Sequence, residues 1–167
     1  MRLFFALWPD AAAAEALERL AADVVVVAGG KPMPREKIHL TLAFLGEVDD
    51  LAAAQDAAAA LETRPFQVRL DCVGSFRRAR VSWAGMIQAD PALTDLQARL
   101  ESQLRARGFA LEERPFAPHV TLARKAERAL PRAKIAAIAW TATELTLVRS
   151  APGTGGYPIL KAWRLGR

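Results

Sequence analysis

Histidine is almost absent from this chain of 167 residues, which holds only His39 and His119. Cysteine is scarcer still. With Cys72 alone, no disulfide can close within the chain, and no Cys/His cluster has zinc spacing. No apolar run is long enough to span a membrane as a helix. There is no Gly-x-Gly-x-x-Gly and no phosphate loop ending in Gly-Lys-Ser/Thr, so nucleotide-driven chemistry has no visible seat. The opening Met1–Trp8 is apolar like a signal peptide. It stops at Pro9-Asp10, however, and a charged helical stretch follows, which fits a buried first strand of a cytoplasmic protein. No linker or low-complexity tract divides residues 1–167, so one domain is expected, possibly of two lobes.

What is present is moderate. The net charge of +5 and a pI near 10.0 favour an anionic partner without proving one. Apolar residues make up 52%, but 35 of them are alanine, so the core is adequate rather than rich. Strand patterns fall at 2–8, 38–45, 66–76, 80–87, 119–122, 143–149 and 157–165. The last two flank a glycine-rich turn at Gly153, Gly155 and Gly156. Helical patterns fall at 11–23, from 49 or 50 to 61, and at 91–107. Asp10 and Asp90 stand at N-cap positions, as does Asp49 or Asp50, and Gly108 stands as a stop. The β-branched run Val24–Val27 is expected to end the first helix. Residues 29–35 read as a loop. Helices alternate with strands, some of which pair directly, so the pattern points to an α+β or mixed-sheet fold rather than a doubly wound parallel sheet.

Both histidines occupy the same local frame. Ile38-His39-Leu40-Thr41-Leu42-Ala43 is matched 80 positions later by Pro118-His119-Val120-Thr121-Leu122-Ala123. In a strand, His and Thr two apart share a face while the intervening apolar residues face the core. Two such strands side by side place two imidazoles and two hydroxyls in one cleft. That set suits phosphoryl transfer: one imidazole takes a proton from the nucleophile, the other gives one to the leaving oxygen. The hydroxyls hold non-bridging oxygens. Two ligands are too few for a usual zinc centre, so neither metal nor cofactor is expected.

The duplicated His-x-Thr-Leu resembles the two-histidine (2H) phosphoesterase superfamily. Arg2–Leu7, His39–Val48, Val81–Gly85, Arg114–Arg124 and the ending with Tyr157 and Trp163 are similar to the bacterial and archaeal RNA 2′,3′-cyclic phosphodiesterases, historically called 2′–5′ RNA ligases. The resemblance covers essentially the whole chain. It implies a bilobed α+β fold with one antiparallel sheet per lobe, helices outside, and one motif per lobe facing a central groove. It further implies metal-free hydrolysis of RNA 2′,3′-cyclic phosphate ends to 2′-phosphates, and 2′–5′ joining in reverse. His119 is then the base, His39 the acid, and Thr41, Thr121 and Arg124 the phosphate ligands. By strict alternation Arg124 points away from His119 and must reach round from the strand end.

Phe5 and Phe44 are candidates for stacking on bases, against the ordinary alternative of core packing. Arg77, Arg78, Arg80, Lys31 and Arg35 are candidates for the phosphate backbone. Other substrates stay open, namely small cyclic nucleotides, ADP-ribose cyclic phosphates or 2′–5′ oligonucleotides. So does a non-catalytic RNA-binding role. No membrane association and no obligate protein partner are expected, and no heptad demands an oligomer.

Overall fold

The computed structural model describes residues 1–151 and 156–166. The sequence Leu3-Phe4-Phe5-Ala6-Leu7 forms β1 (Arg2–Leu7), which is buried from Leu3 onward. Asp10 then caps α1 (Ala11–Ala28) by accepting the Ala13 amide at 2.8 Å. The valine run does not end this helix. Its buried stripe, Ala13, Leu17, Ala21, Val24 and Ala28, keeps helical spacing through the run, and burial outweighs the small propensity cost of β-branching. The stop comes at Gly29 and Gly30, both at positive φ, where the Gly29 amide returns to the Val25 carbonyl.

The loop expected at 29–35 contains a two-residue strand, β2 (Lys31–Pro32), and a single 3-10 turn follows at Arg35–Lys37. Next come β3 (Leu40–Glu47) and α2 (Leu51–Ala59), capped by Asp50. The hairpin β4 (Phe66–Phe76) and β5 (Val81–Gly85) leads to α3 (Pro91–Ala106). Asp90 accepts two amides of the first turn of α3, Pro91 opens the helix, and Leu93, Leu96, Leu100 and Leu104 are fully buried. The remaining strands are β6 (His119–Arg124), β7 (Ala133–Ala142), β8 (Glu144–Ser150) and β9 (Ile159–Arg164). Gly153 and Gly155 of the glycine-rich turn lie outside the described residues.

Among the described residues every ladder is antiparallel, in the order β7-β4-β5-β6-β3-β1-β8-β9, with β2 beside β6. Each motif strand lies in its own half, β6 with β5, β4 and β7, and β3 with β1, β8 and β9. The halves meet at one ladder pair, Leu40 opposite Val120. Helices tie them together: α1 leaves β1 but packs on β6 and β7 of the other half, and α3 packs on both β3 and β4. One hydrophobic cluster therefore runs through both halves, from Leu3 and Leu17 to Leu122 and Trp140. Among the described residues no helix is long and apolar enough to cross a membrane.

The second half is pinned by Trp83, which pairs with Gly74 on one side and Thr121 on the other. A Cβ at Gly74 would lie 2.5 Å from the Trp83 ring. Gly74→Ala is therefore expected to cost about 1–3 kcal/mol through overpacking. The check is a lower denaturation midpoint at unchanged denaturant slope.

Candidate active site

The single pair Leu40–Val120 sets the geometry of the site. In an antiparallel ladder the flanking positions fall crosswise, so His39 comes opposite Thr121 and Thr41 opposite His119. All four side chains rise from the face opposite buried Leu40 and Val120.

The duplication extends to the imidazole contacts. His39 Nδ1–H donates to the carbonyl of Lys37 at 2.7 Å, and His119 Nδ1–H to that of Ala117 at 2.8 Å. Each carbonyl lies two residues back. The bond fixes the tautomer and leaves each Nε2 as the exchangeable nitrogen. His39 Nε2 accepts from the Thr41 hydroxyl at 3.0 Å.

The surroundings of the two rings differ. Phe4 stacks on His39 with centroids 4.9 Å apart, Trp8 tilts against it at 5.1 Å, and Tyr157 meets it edge-on at 5.4 Å. Among the described residues His119 has one aromatic neighbour, the edge-on Phe76 at 4.9 Å, which leans on Trp83. The sequence offers Phe5 and Phe44 as the aromatic neighbours of the site, and none of these five rings is among them.

Burial pushes the pKa of both imidazoles down from 6.5; their main-chain hydrogen bonds oppose this, and the positive charge of Arg124 adds to it. His39 also feels His119. Both rings are thus held toward the uncharged form in the free protein. Ring-proton NMR is expected to show both titrating below 6.5, and moving upward when inorganic phosphate supplies a negative charge. The linkage to stability follows in sign. As pH falls below about 6.5, the unfolded chain takes up protons before the folded one. The stability these neutral imidazoles contribute is complete above that pH and is lost as pH falls through their lowered values.

Arg124 reaches this site by a route that strict alternation does not give. In β3, Thr41 pairs with Ala6 and Ala43 with Phe5, so one β3 residue is left over. In β6, Thr121 pairs with Trp83 and Ala123 with Ser82, and again one residue is left over. Both bulges fall on the Leu-Ala step after the threonine. Leu42 and Ala43 are both buried, as are Leu122 and Ala123, and the alternation resets. The next residue returns to the groove face: Arg124 in one copy, Phe44 in the other. Phe44 pairs with Phe4, the ring that stacks on His39.

The fold separates the other candidates. Phe44 is 44% exposed, with the Arg2 guanidinium 5.2 Å over its ring. Phe5 is fully buried near Trp163 and is core, one position out of phase with groove-facing Phe4. Arg35 is bound to Glu18. Arg80, at φ 57°, donates to the carbonyls of Ala126 and Lys125, clamping the hairpin turn to the segment after Arg124. Arg77, Arg78 and Lys31 are exposed.

An open cavity of about 660 Å³, within the usual range for a small-ligand site, leads away from Thr41 and His119 past Phe44, Phe76 and Arg78. Among the described residues no group of three or more His, Cys, Asp or Glu gathers at a metal-binding distance.

Residues 8–154 match the model of the 2′-5′ RNA ligase superfamily. The chain belongs to that superfamily. It is 37% identical to the RNA 2′,3′-cyclic phosphodiesterase of Escherichia coli K12, over 98% of this chain and 96% of that one. It is also similar to E. coli LigT in its apo form, with a TM-score of 0.88 and 35% identity over 99% of this chain and 98% of the other. The complex of LigT with 3′-AMP gives a TM-score of 0.86 at 34% identity, over the same shares. The matched span of the family model thus includes both motifs and the strands β3 and β6 that carry them.

Proposed function

We propose that this protein hydrolyses 2′,3′-cyclic phosphate ends of RNA to 2′-phosphates, with 2′–5′ joining as the reverse reaction. The observation that carries this is the crosswise set of His39, Thr41, His119 and Thr121 around one ladder pair, with each Nδ1 tied to main chain. The names of the relatives support the same substrate.

In the reaction, His119 Nε2 takes a proton from water as its oxygen bonds to phosphorus. The bond from phosphorus to O3′ breaks, and O3′ takes a proton from His39 Nε2. His39 must enter charged. The substrate's negative charge offsets burial and the Arg124 field, so binding brings the proton with it. The Thr41 hydroxyl turns from His39 to a phosphate oxygen, and Thr121 and Arg124 hold the others as charge develops. Phe44 stacks on the terminal base, which binds any base through its π-face. Exposed Arg77 and Arg78 at the hairpin turn and Lys31 on β2 lie along the path of the backbone.

RNA ending in a 2′,3′-cyclic phosphate, incubated with the protein and a chelator, is expected to yield 2′-phosphate ends. Absence of turnover overturns the proposal. The cavity's size also suits a lone nucleotide, so free 2′,3′-cyclic mononucleotides are the second substrate to compete against the oligomer.

A further inference from the structure

The cavity beside the site is a split in the sheet. Beyond the pair Leu40–Val120, β3 and the segment leading into β6 share no further ladder pair among the described residues, and the gap between them is floored by α3. The strand edge left open by this divergence is not wholly unpaired: Gln97 of α3 donates its side-chain amide to the Leu42 carbonyl at 3.4 Å. The same amide donates to Glu101 Oε2 at 3.0 Å. Arg105 donates to Glu101 Oε1 at 3.0 Å from the far side.

These bonds orient the floor in one sense. The Gln97 amide nitrogen is committed, which leaves its carbonyl oxygen as the group on offer. The Glu101 carboxylate is fixed at both oxygens and holds its charge, its pKa lowered by the Gln97 hydrogen bond and by Arg105. Each carboxylate oxygen keeps acceptor capacity beyond its present bond. The split thus has an exposed aromatic ring on one wall, Phe44, and hydrogen-bond acceptors below it.

We infer that Gln97 and Glu101 read the edge of the terminal base stacked on Phe44 and favour bases whose edge carries donors, guanine first and uracil last. The inference rests on the cyclic phosphodiesterase assignment and names the specificity of that same site. Guanine presents N1–H and its amino group side by side, which matches a carboxylate with two hydrogen bonds. Adenine and cytosine each bring one amino group. Uracil brings a single N–H between two carbonyl oxygens, which a carboxylate repels. A paired edge contact of this type discriminates by about 1–3 kcal/mol, or roughly five- to 150-fold.

The experiment compares kcat/KM for the 2′,3′-cyclic phosphates of guanosine, adenosine, cytidine and uridine. Guanosine is expected to exceed uridine at least tenfold, with the other two between. Glu101→Gln replaces an acceptor by a donor and is expected to lower the guanosine-to-uridine ratio at least fivefold. Four equal values in the wild type overturn the inference while leaving the phosphodiesterase standing, and need no variant. A Glu101→Gln protein that keeps the wild-type ratio overturns it too. No turnover of any of the four, nor of cyclic-phosphate RNA, removes the phosphodiesterase assignment and this inference together.

Discussion

His39→Ala and His119→Ala are each expected to lower the rate of cyclic phosphate hydrolysis by about 10²–10⁴-fold, the usual contribution of a positioned acid or base. In the proposed reaction acid and base act in one displacement, so the two losses are not expected to add; the double variant is expected to be little worse than either single one. Stability separates the pair. His39 lies among Phe4, Trp8 and Tyr157, so its removal empties the space between three rings. Among the rings of the described residues, His119 touches only Phe76. Thermal unfolding is expected to fall further for His39→Ala than for His119→Ala, although both fold. A variant that keeps wild-type turnover would show that its histidine is not a proton-transfer group.

Arg124→Ala carries the second large effect, and it has two independent readouts. In the proposed reaction, loss of the guanidinium removes a donor to the developing phosphate charge, for which about 10²–10³-fold in rate is expected. The same substitution removes a positive charge that lowers both imidazole pKa values. The acid limb of the pH–rate profile is therefore expected to move upward. Arg124→Lys restores the charge without the fork that grips two oxygens. It is expected to return the acid limb toward its wild-type position while recovering only part of the rate. An unmoved acid limb in Arg124→Ala would sink the electrostatic link.

Much of this was legible in the sequence, for identifiable reasons. The caps are local devices: Asp10 and Asp90 bind the amides their positions foretell, and of the pair Asp49 and Asp50, either of which the sequence allows, Asp50 does so. The leucine stripe of α3 is long enough to declare its period. The paired motif gave His39, Thr41, His119 and Thr121 one shared groove. What escaped was non-local or one residue out of phase. Strand β7 is rich in alanine and mostly exposed, with no apolar alternation strong enough to announce it. Phe4 and Phe5 are identical in type, and only pairing with β3 and β8 decides which faces the groove. The bulges leave no composition signature, because leucine and alanine suit a regular strand as well as a bulged one. The direction of Arg124 therefore could not be obtained by counting. The ring contacts of Trp8 and Phe76 join residues distant in the chain, and no local pattern foretells them.

The lone ladder pair between β3 and β6 also has a mechanical meaning. A joint with one stitch is compliant, whereas each half is stiffened by full ladders. Bracing across it comes from α1, which starts in one half and rests on the other, and from α3, which touches both. The seating of the two motif strands thus rests on packing behind the sheet as well as on their one ladder pair. A conservative change at Leu17 or Leu96, both fully buried, is therefore expected to change turnover while leaving untouched every group that reacts.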